Sequence, residues 1–243
     1  MGKLDRFRRN KSIEGPLSSI SDLMSGLMII FLFIAVSFMS RVVDENIQIK
    51  KQQETVENIV TTYEETKVSI YDDLYSEFKD DMKYWNMEID KDGTIRFKEP
   101  DIFFEKGKSD LKPEFEDMLD SFFPRYINLI YENHKDKVEA IRIEGHTSSE
   151  WEENATKKES YFKNMELSQD RTRNVLEYIM NIKSILKYED WLIDKITANG
   201  MSYSKRVMND DNTENKEASR RVEFKVITNS EETINEILDN YND

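Results

Sequence analysis

The hydrophobic positions of this chain fall into three regimes. From Ile20 to Met39 it reads ISDLMSGLMIIFLFIAVSFM, twenty residues with one charge, Asp22. At the helical rise this is about 30 Å, the thickness of a bilayer hydrocarbon core. A secretory signal would end in small residues at a cleavage site, whereas Ser37-Phe38-Met39-Ser40-Arg41 is a poor one, so the segment reads as a retained anchor. We take residues 17–41 as the transmembrane helix and 1–16 as a basic tail. Lys3, Arg6, Arg8, Arg9 and Lys11 should keep that tail in the cytoplasm, placing the chain after Arg41 across the membrane.

The second regime, residues 42–82, is charged and lacks Gly and Pro. Ile49, Val56, Tyr63 and Ile70 recur every seven residues, which predicts a helical linker. Its second seam is polar at Gln52, Thr66 and Asp73. Pairing with a second copy and packing against the chain's own domain are both open.

In the third regime, 83–229, the period alternates between two and 3.6. Met87 and Ile89, then Lys91-Asp92-Gly93, then Ile95 and Phe97 predict a hairpin. Glu88, Asp90, Asp92, Gly93, Ile95 and Glu99 also fall near calcium-loop spacing, but the first ligand would be Glu and Pro100 blocks the exiting helix. The hairpin is the preferred reading over calcium at Glu88–Glu99. Ile102-Phe103-Phe104 predicts a short strand, and Leu111-Lys112-Pro113 opens a helix that Pro124 should kink or divide. Strands are predicted at Val138–Glu144, Ile193–Ala198 and Val222–Ile227. Residues 148–163 read as a loop or short irregular helix, and Leu167–Ile182 as a helix capped by Ser168. The last segment, 230–243, predicts a short acidic helix. Strands alternating with helices give an α/β sandwich.

Composition narrows the function classes. The 243 residues carry 35 Lys plus Arg against 49 Asp plus Glu, a net charge of −14, which disfavours direct nucleic-acid binding. There is no Cys, so disulfides and thiolate metal sites are excluded, and only His134 and His146 are histidines. No nucleophile motif accompanies His146, and a non-enzymatic protein is expected.

Asp22 is the most informative residue. A carboxylate within a bilayer is costly and commonly faces a partner or an ion path. Ser18, Ser25 and Gly26 share its helical face and form a small, polar stripe that admits a second helix, water or an ion.

Several motifs follow one another over about 120 residues: Phe103-Phe104 with Gly107, Leu111-Lys112-Pro113, Glu144-Gly145-His146-Thr147, Asn164, Leu167-Ser168 with Arg171, Gly200, and Arg220-Arg221-Val222-Glu223. In this order they resemble the OmpA-like peptidoglycan-binding domain. With one membrane helix bearing an acid, the layout is similar to flagellar stator B subunits (MotB-like). The string GPLSSISDLMSGLMIIFLFIAVSF most resembles B subunits of the Zorya anti-phage defence system. A flagellar subunit would carry an aromatic before the acid and a Trp later in the span; here Ile20-Ser21 precede Asp22 and the span has no Trp.

The resemblance implies an inner-membrane, single-pass subunit with a cytoplasmic N-terminus and a periplasmic C-terminal domain. It further implies two copies within a ring of A subunits, with Asp22, Ser18 and Ser25 on the ion path. The ion, H⁺ or Na⁺, is cargo, and no resident cofactor is expected. Peptidoglycan contacts fall on Thr147, Ser148, Asn164, Leu167, Arg171 and Arg221. Arg171 would grip a stem-peptide carboxylate through two parallel hydrogen bonds. Ser148 stands where the family has an Asp, which removes a charge partner for an ammonium group. The alternatives are a flagellar or other envelope stator and a passive membrane-to-wall tether.

Overall fold

A computed structural model describes residues 14–98, 102–152, 154–231 and 233–234, with side chains from Ile20 onward. The cationic tail residues Lys3 to Lys11, Glu99 of the calcium-loop spacing and most of the acidic segment 230–243 lie outside the described residues. The chain forms two compact units, Met1–Glu57 and Asn58–Asp243.

One helix, α1 (Glu14–Phe78), supplies all described structure of the first unit. It is long and apolar enough to cross a membrane. Every large apolar side chain from Ile20 to Met39 is exposed, Leu23 at 75% and Phe33 at 69%. Such a continuous apolar surface is stable only when lipid or partner helices cover it.

The second unit begins inside α1. Thr66, Ile70, Leu74 and Phe78 are buried in the domain core. They recur at i, i+4, i+8 and i+12, one helical face. The boundary expected at residue 83 therefore lies about 25 residues earlier, at Asn58. Packing on the domain takes up the Ile70 seam that a paired helix would need.

Five strands follow: β1 (Met87–Ile89), β2 (Ile95–Lys98), β3 (Val138–His146), β4 (Ile196–Gly200) and β5 (Arg221–Thr228). Their order is β1-β2-β5-β3-β4, and only β3 and β4 are parallel. A parallel pair requires a crossover, here the long helix α3 (Lys157–Met180). Helix α2 (Pro113–His134) packs its aromatic face on the sheet. The Phe122 ring lies 5.0 Å from Phe97 and 5.2 Å from Phe224. Short helices α4 (Glu189–Lys195) and α5 (Lys216–Ser219) precede β4 and β5.

Several expectations change. β1 and β2 form the hairpin, with Gly93 at φ +80° in its turn. The carboxylates at calcium spacing are engaged there: Asp90 holds Arg96 at 2.8 Å, and Glu88 holds Lys98. Phe104 makes only an isolated bridge to Leu111, because Phe103 and Phe104 turn inward against Phe115 instead of extending. α2 runs through Pro124 undivided, fixed by buried residues on both sides of it. α3 starts ten residues before the expected Leu167. Its cap is Thr156, in a capping box with Glu159, and Ser168 lies buried in mid-helix.

Candidate functional site

Two glycines bring α3 against the ends of β3 and β4. A Cβ on Gly145 would stand 2.8 Å from the Ser168 carbonyl oxygen, and one on Gly200 2.5 Å from the Gln169 nitrogen. Hydrogen bonds fix this contact. The Gly200 N–H donates to Gln169 Oε1 at 2.8 Å, and Ser202 N–H donates to Ser168 Oγ at 3.0 Å. The Thr147 N–H in turn donates to the Ser202 carbonyl at 2.9 Å. The turn after β3 is thereby registered against the N-terminal half of α3.

Between them opens a cavity of about 470 Å³. Thr147 and Ser148 enter from the β3 turn, Asn164, Leu167 and Arg171 from α3, and Lys106 and Gly107 from the loop before α2. Glu150, Trp151, Glu152 and Arg220 complete the wall. Five residues marked in the sequence thus meet at one site. Three cations (Lys106, Arg171, Arg220) face two carboxylates (Glu150, Glu152), a local positive excess on a chain of net charge −14.

Thr147 is 4% exposed and its Oγ1 has no hydrogen-bond partner among the described residues. A buried hydroxyl left unpaired is costly, and a ligand supplying a donor or acceptor relieves it. Asn164 braces the rim instead. Its Nδ2 donates to the Glu150 carbonyl at 3.2 Å, while Ser160 Oγ donates to the Ser149 carbonyl at 3.0 Å. Together they pin the rim at 149–150 to the helix. Lys216 Nζ lies 2.6 Å from Glu150, and its ammonium holds that carboxyl below the usual glutamate range.

Arg171 is placed otherwise than a free two-pronged clamp. Its Nε donates to the Lys108 carbonyl at 2.9 Å and Nη2 to the Glu105 carbonyl at 3.3 Å. Its guanidinium carbon stands 4.7 Å from the Phe104 ring centre. It fastens the 105–108 loop as well as lending charge. Arg221 does not line the cavity. It is buried, with Nε donating to Glu223 at 2.7 Å and Nη1 to the Ser219 carbonyl at 3.0 Å. Arg220 takes the wall position instead, so the arginine assigned from the sequence is displaced by one residue.

Arg221 belongs to a polar network on β2, β3 and β5. Glu144 and Glu223 are register partners across β3 and β5. Like charges so placed repel, and the compensation is local: Arg96 reaches Glu223 at 2.8 Å, and His146 Nε2 is 3.5 Å from a carboxylate oxygen of each glutamate. Burial opposes ionisation of Glu223, but His146, Arg221 and Arg96 outweigh it and hold the carboxyl far below its ordinary value. Glu144 is lowered too, chiefly by its contact with His146.

In the first unit, Asp22, Ser25 and Gly26 lie along one face of α1, and a Cβ on Gly26 would meet nothing within 4 Å. Ser25 Oγ donates to the Ser21 carbonyl at 2.8 Å, so the helix itself occupies its hydrogen. Ser18 is helical in backbone, and its side chain lies outside the described residues.

Lys106, Glu150, Trp151, Glu152 and Arg220 were not assigned from the sequence. Only the tandem Arg220-Arg221 gave a readable signal.

Residues 103–221 match the OmpA family. The chain is 40% identical over 221 residues to the Zorya protein ZorB of Escherichia coli, an alignment covering 90% of this chain and 91% of that one. Among solved structures, a MotB-like protein from Desulfovibrio vulgaris is 22% identical, with 68% of this chain and 92% of that chain covered and a TM-score of 0.45. The cell wall anchor of the T6SS from Pseudomonas aeruginosa is 20% identical, covering 64% and 96%, with a TM-score of 0.44. The chain carries an OmpA-family domain after a helix long and apolar enough to cross a membrane. By the extent of its identity to the Escherichia coli protein, the chain belongs to the ZorB family of Zorya proteins.

Proposed function

We propose that this protein is the ion-conducting, peptidoglycan-anchored B subunit of a rotary motor in Zorya-type anti-phage defence, driven by the membrane potential. The observation that carries the reading is the union, in one chain, of an exposed apolar helical stretch, Ile20–Met39, bearing the single carboxylate Asp22, with a domain whose cavity gathers Thr147, Ser148, Asn164, Leu167 and Arg171. In this reading α1 crosses the inner membrane once with the N-terminus in the cytoplasm. Two copies stand within a ring of A subunits, and their Asp22 carboxylates bind and release H⁺ or Na⁺ in turn. The periplasmic domain holds the wall and is the fixed point against which the ring turns.

The cavity's chemistry supports a stem-peptide ligand. Its cations suit carboxylates, and the open Thr147 hydroxyl suits a peptide group. Ser148 offers a hydroxyl and no charge, so an ammonium group gains a hydrogen bond there and no ion pair.

The test is Asp22→Asn in the native operon. The variant should remain in the membrane, conduct no ions and lose protection against phage in plaque counts. Full protection would refute the motor and favour a passive tether. Separately, Arg171→Ala should reduce sedimentation of the protein with purified cell wall, and unchanged sedimentation would remove this cavity from wall binding.

A further inference from the structure

A second cavity of about 300 Å³ adjoins the first, and the two share Gly107, Trp151 and Leu167 as walls. We infer that this second cavity is a sugar subsite and that Trp151 is its stacking platform, so that one ligand spans both cavities: peptide in the first, the attached glycan ring in the second. The inference rests on the stem-peptide reading of the first cavity.

Three observations carry it. Trp151 is 36% exposed although it lies in the wall between two cavities, so part of its indole remains open to a ligand. An aromatic face set beside polar groups suits a pyranose, whose C–H face is apolar and whose rim is hydroxylated. The polar groups are of mixed sign. Lys108 is held by Glu105 and Lys163 by Glu166 at 3.1 Å, which leaves Asp110, Asp170 and Ser109 around the cavity as hydroxyl partners. That balance suits a neutral, polyhydroxylated ring better than an anion, and it differs from the cation-rich first cavity. Finally, both cavities are lined by Gly107, at φ +73° and with no described residue within 4 Å of where a Cβ would stand, so no side chain fills the space they share there.

Trp151 follows directly on Ser149 and Glu150 after the β3 turn. Asn164 and Ser160 pin the neighbouring backbone at Glu150 and Ser149. The indole is therefore presented from an anchored segment, which limits the ordering cost of stacking.

The experiment uses the full chain in detergent and titrates two probes: a synthetic stem tetrapeptide, and the same peptide joined to its N-acetylglucosamine–N-acetylmuramic acid disaccharide. The unmodified protein should bind the second about tenfold more tightly than the first. Trp151→Ala should abolish that difference, whatever affinity for the bare peptide it loses as part of the first cavity's wall. Trp151→Phe should keep most of the gain, and the disaccharide should perturb tryptophan fluorescence in the unmodified chain and not in Trp151→Ala. Equal affinity of the unmodified protein for both probes, or a difference that survives in Trp151→Ala, would overturn the sugar subsite while leaving the peptide site standing. Binding of neither probe would overturn both.

Discussion

Leu74→Ala tests whether α1 is a structural member of the domain or a mere spacer. Leu74 is fully buried, beside Ile70 above and Phe78 below on the same helical face, and Phe78 stands 5.2 Å from Phe122 at the centre of the aromatic core. Truncating a buried leucine removes its transfer energy and leaves a cavity, for a cost of about 2–5 kcal/mol. In a unit of this size each kcal/mol lowers the melting temperature by about 2–4 °C. The expected loss is thus about 4–20 °C. The polar contacts of the same segment count for less. Arg125 holds Glu77 at 2.7 Å and Asp81 at 2.8 Å, but these groups are 29–40% exposed, and such pairs contribute about 0–1 kcal/mol each. Apolar burial therefore decides the outcome. The control is Val68→Ala, on the exposed side of the same turns, which should change stability by less than about 0.5 kcal/mol. The assay is thermal melting of the unit from Asn58 to Asp243 by circular dichroism. Equal melting temperatures for the two variants would refute the packing of α1 on the domain and restore the spacer reading.

Gly200→Ala should destabilise the same unit by about 1–3 kcal/mol, because its Cβ would press on backbone atoms of Gln169 that no rotamer can move aside. As α3 must shift, wall binding should fall together with the melting temperature; loss of one without the other would separate the helix contact from the cavity. The Glu144–His146–Glu223 network predicts an acid limb. Both glutamates are held below their ordinary value in the folded protein, so their contribution is present above pH about 4.3 and is lost as pH falls through the lowered folded-state values. Glu223→Gln should cost about 3–5 kcal/mol at neutral pH, since it leaves Arg221 buried without its carboxylate, and should flatten the acid limb of a melting-temperature titration. An acid limb unchanged in that variant would exclude Glu223 as its source.

The apolar span, the β1–β2 hairpin, the helix opened by Pro113 and the strands β3 and β5 were legible because each has a clean hydrophobic period, whereas the strand expected from Ile193 begins only at Ile196, since Glu189–Lys195 is helical. The start of α3 was not, for a physical reason. The face that α3 buries from its start to Arg171 is Ser160, Asn164, Ser168 and Arg171, all polar, since there the helix packs on glycine-bearing strand ends and lines the cavity. Apolar periodicity is silent at such a helix, and the readable sign was the capping box Thr156-x-x-Glu159. The α1 boundary failed in the opposite way. Ile70 and Leu74 fit a heptad seam and a domain face equally well, and sequence spacing cannot say which surface arrives to cover them.

Arg220 and Arg221 show why the site was only partly legible. On a strand, side chains alternate, so a shift of one residue sends each to the opposite face. The register of β5 is set by Arg221 pairing with His146 and Glu223 with Glu144, which commits Arg221 to the buried network and leaves Arg220 at the strand's entrance beside the cavity. That choice is made by long-range pairing and is invisible in the motif itself. It also gives the site its character. The arginine next to the cavity belongs to the same dipeptide that anchors β5, and Arg171 holds the 105–108 backbone while contributing charge. Two of the three cations, Arg171 and Arg220, are thus held by the fold, Arg171 on the 105–108 carbonyls and Arg220 3.8 Å from Glu150, and such preorganisation lowers the cost of recognising a carboxylate.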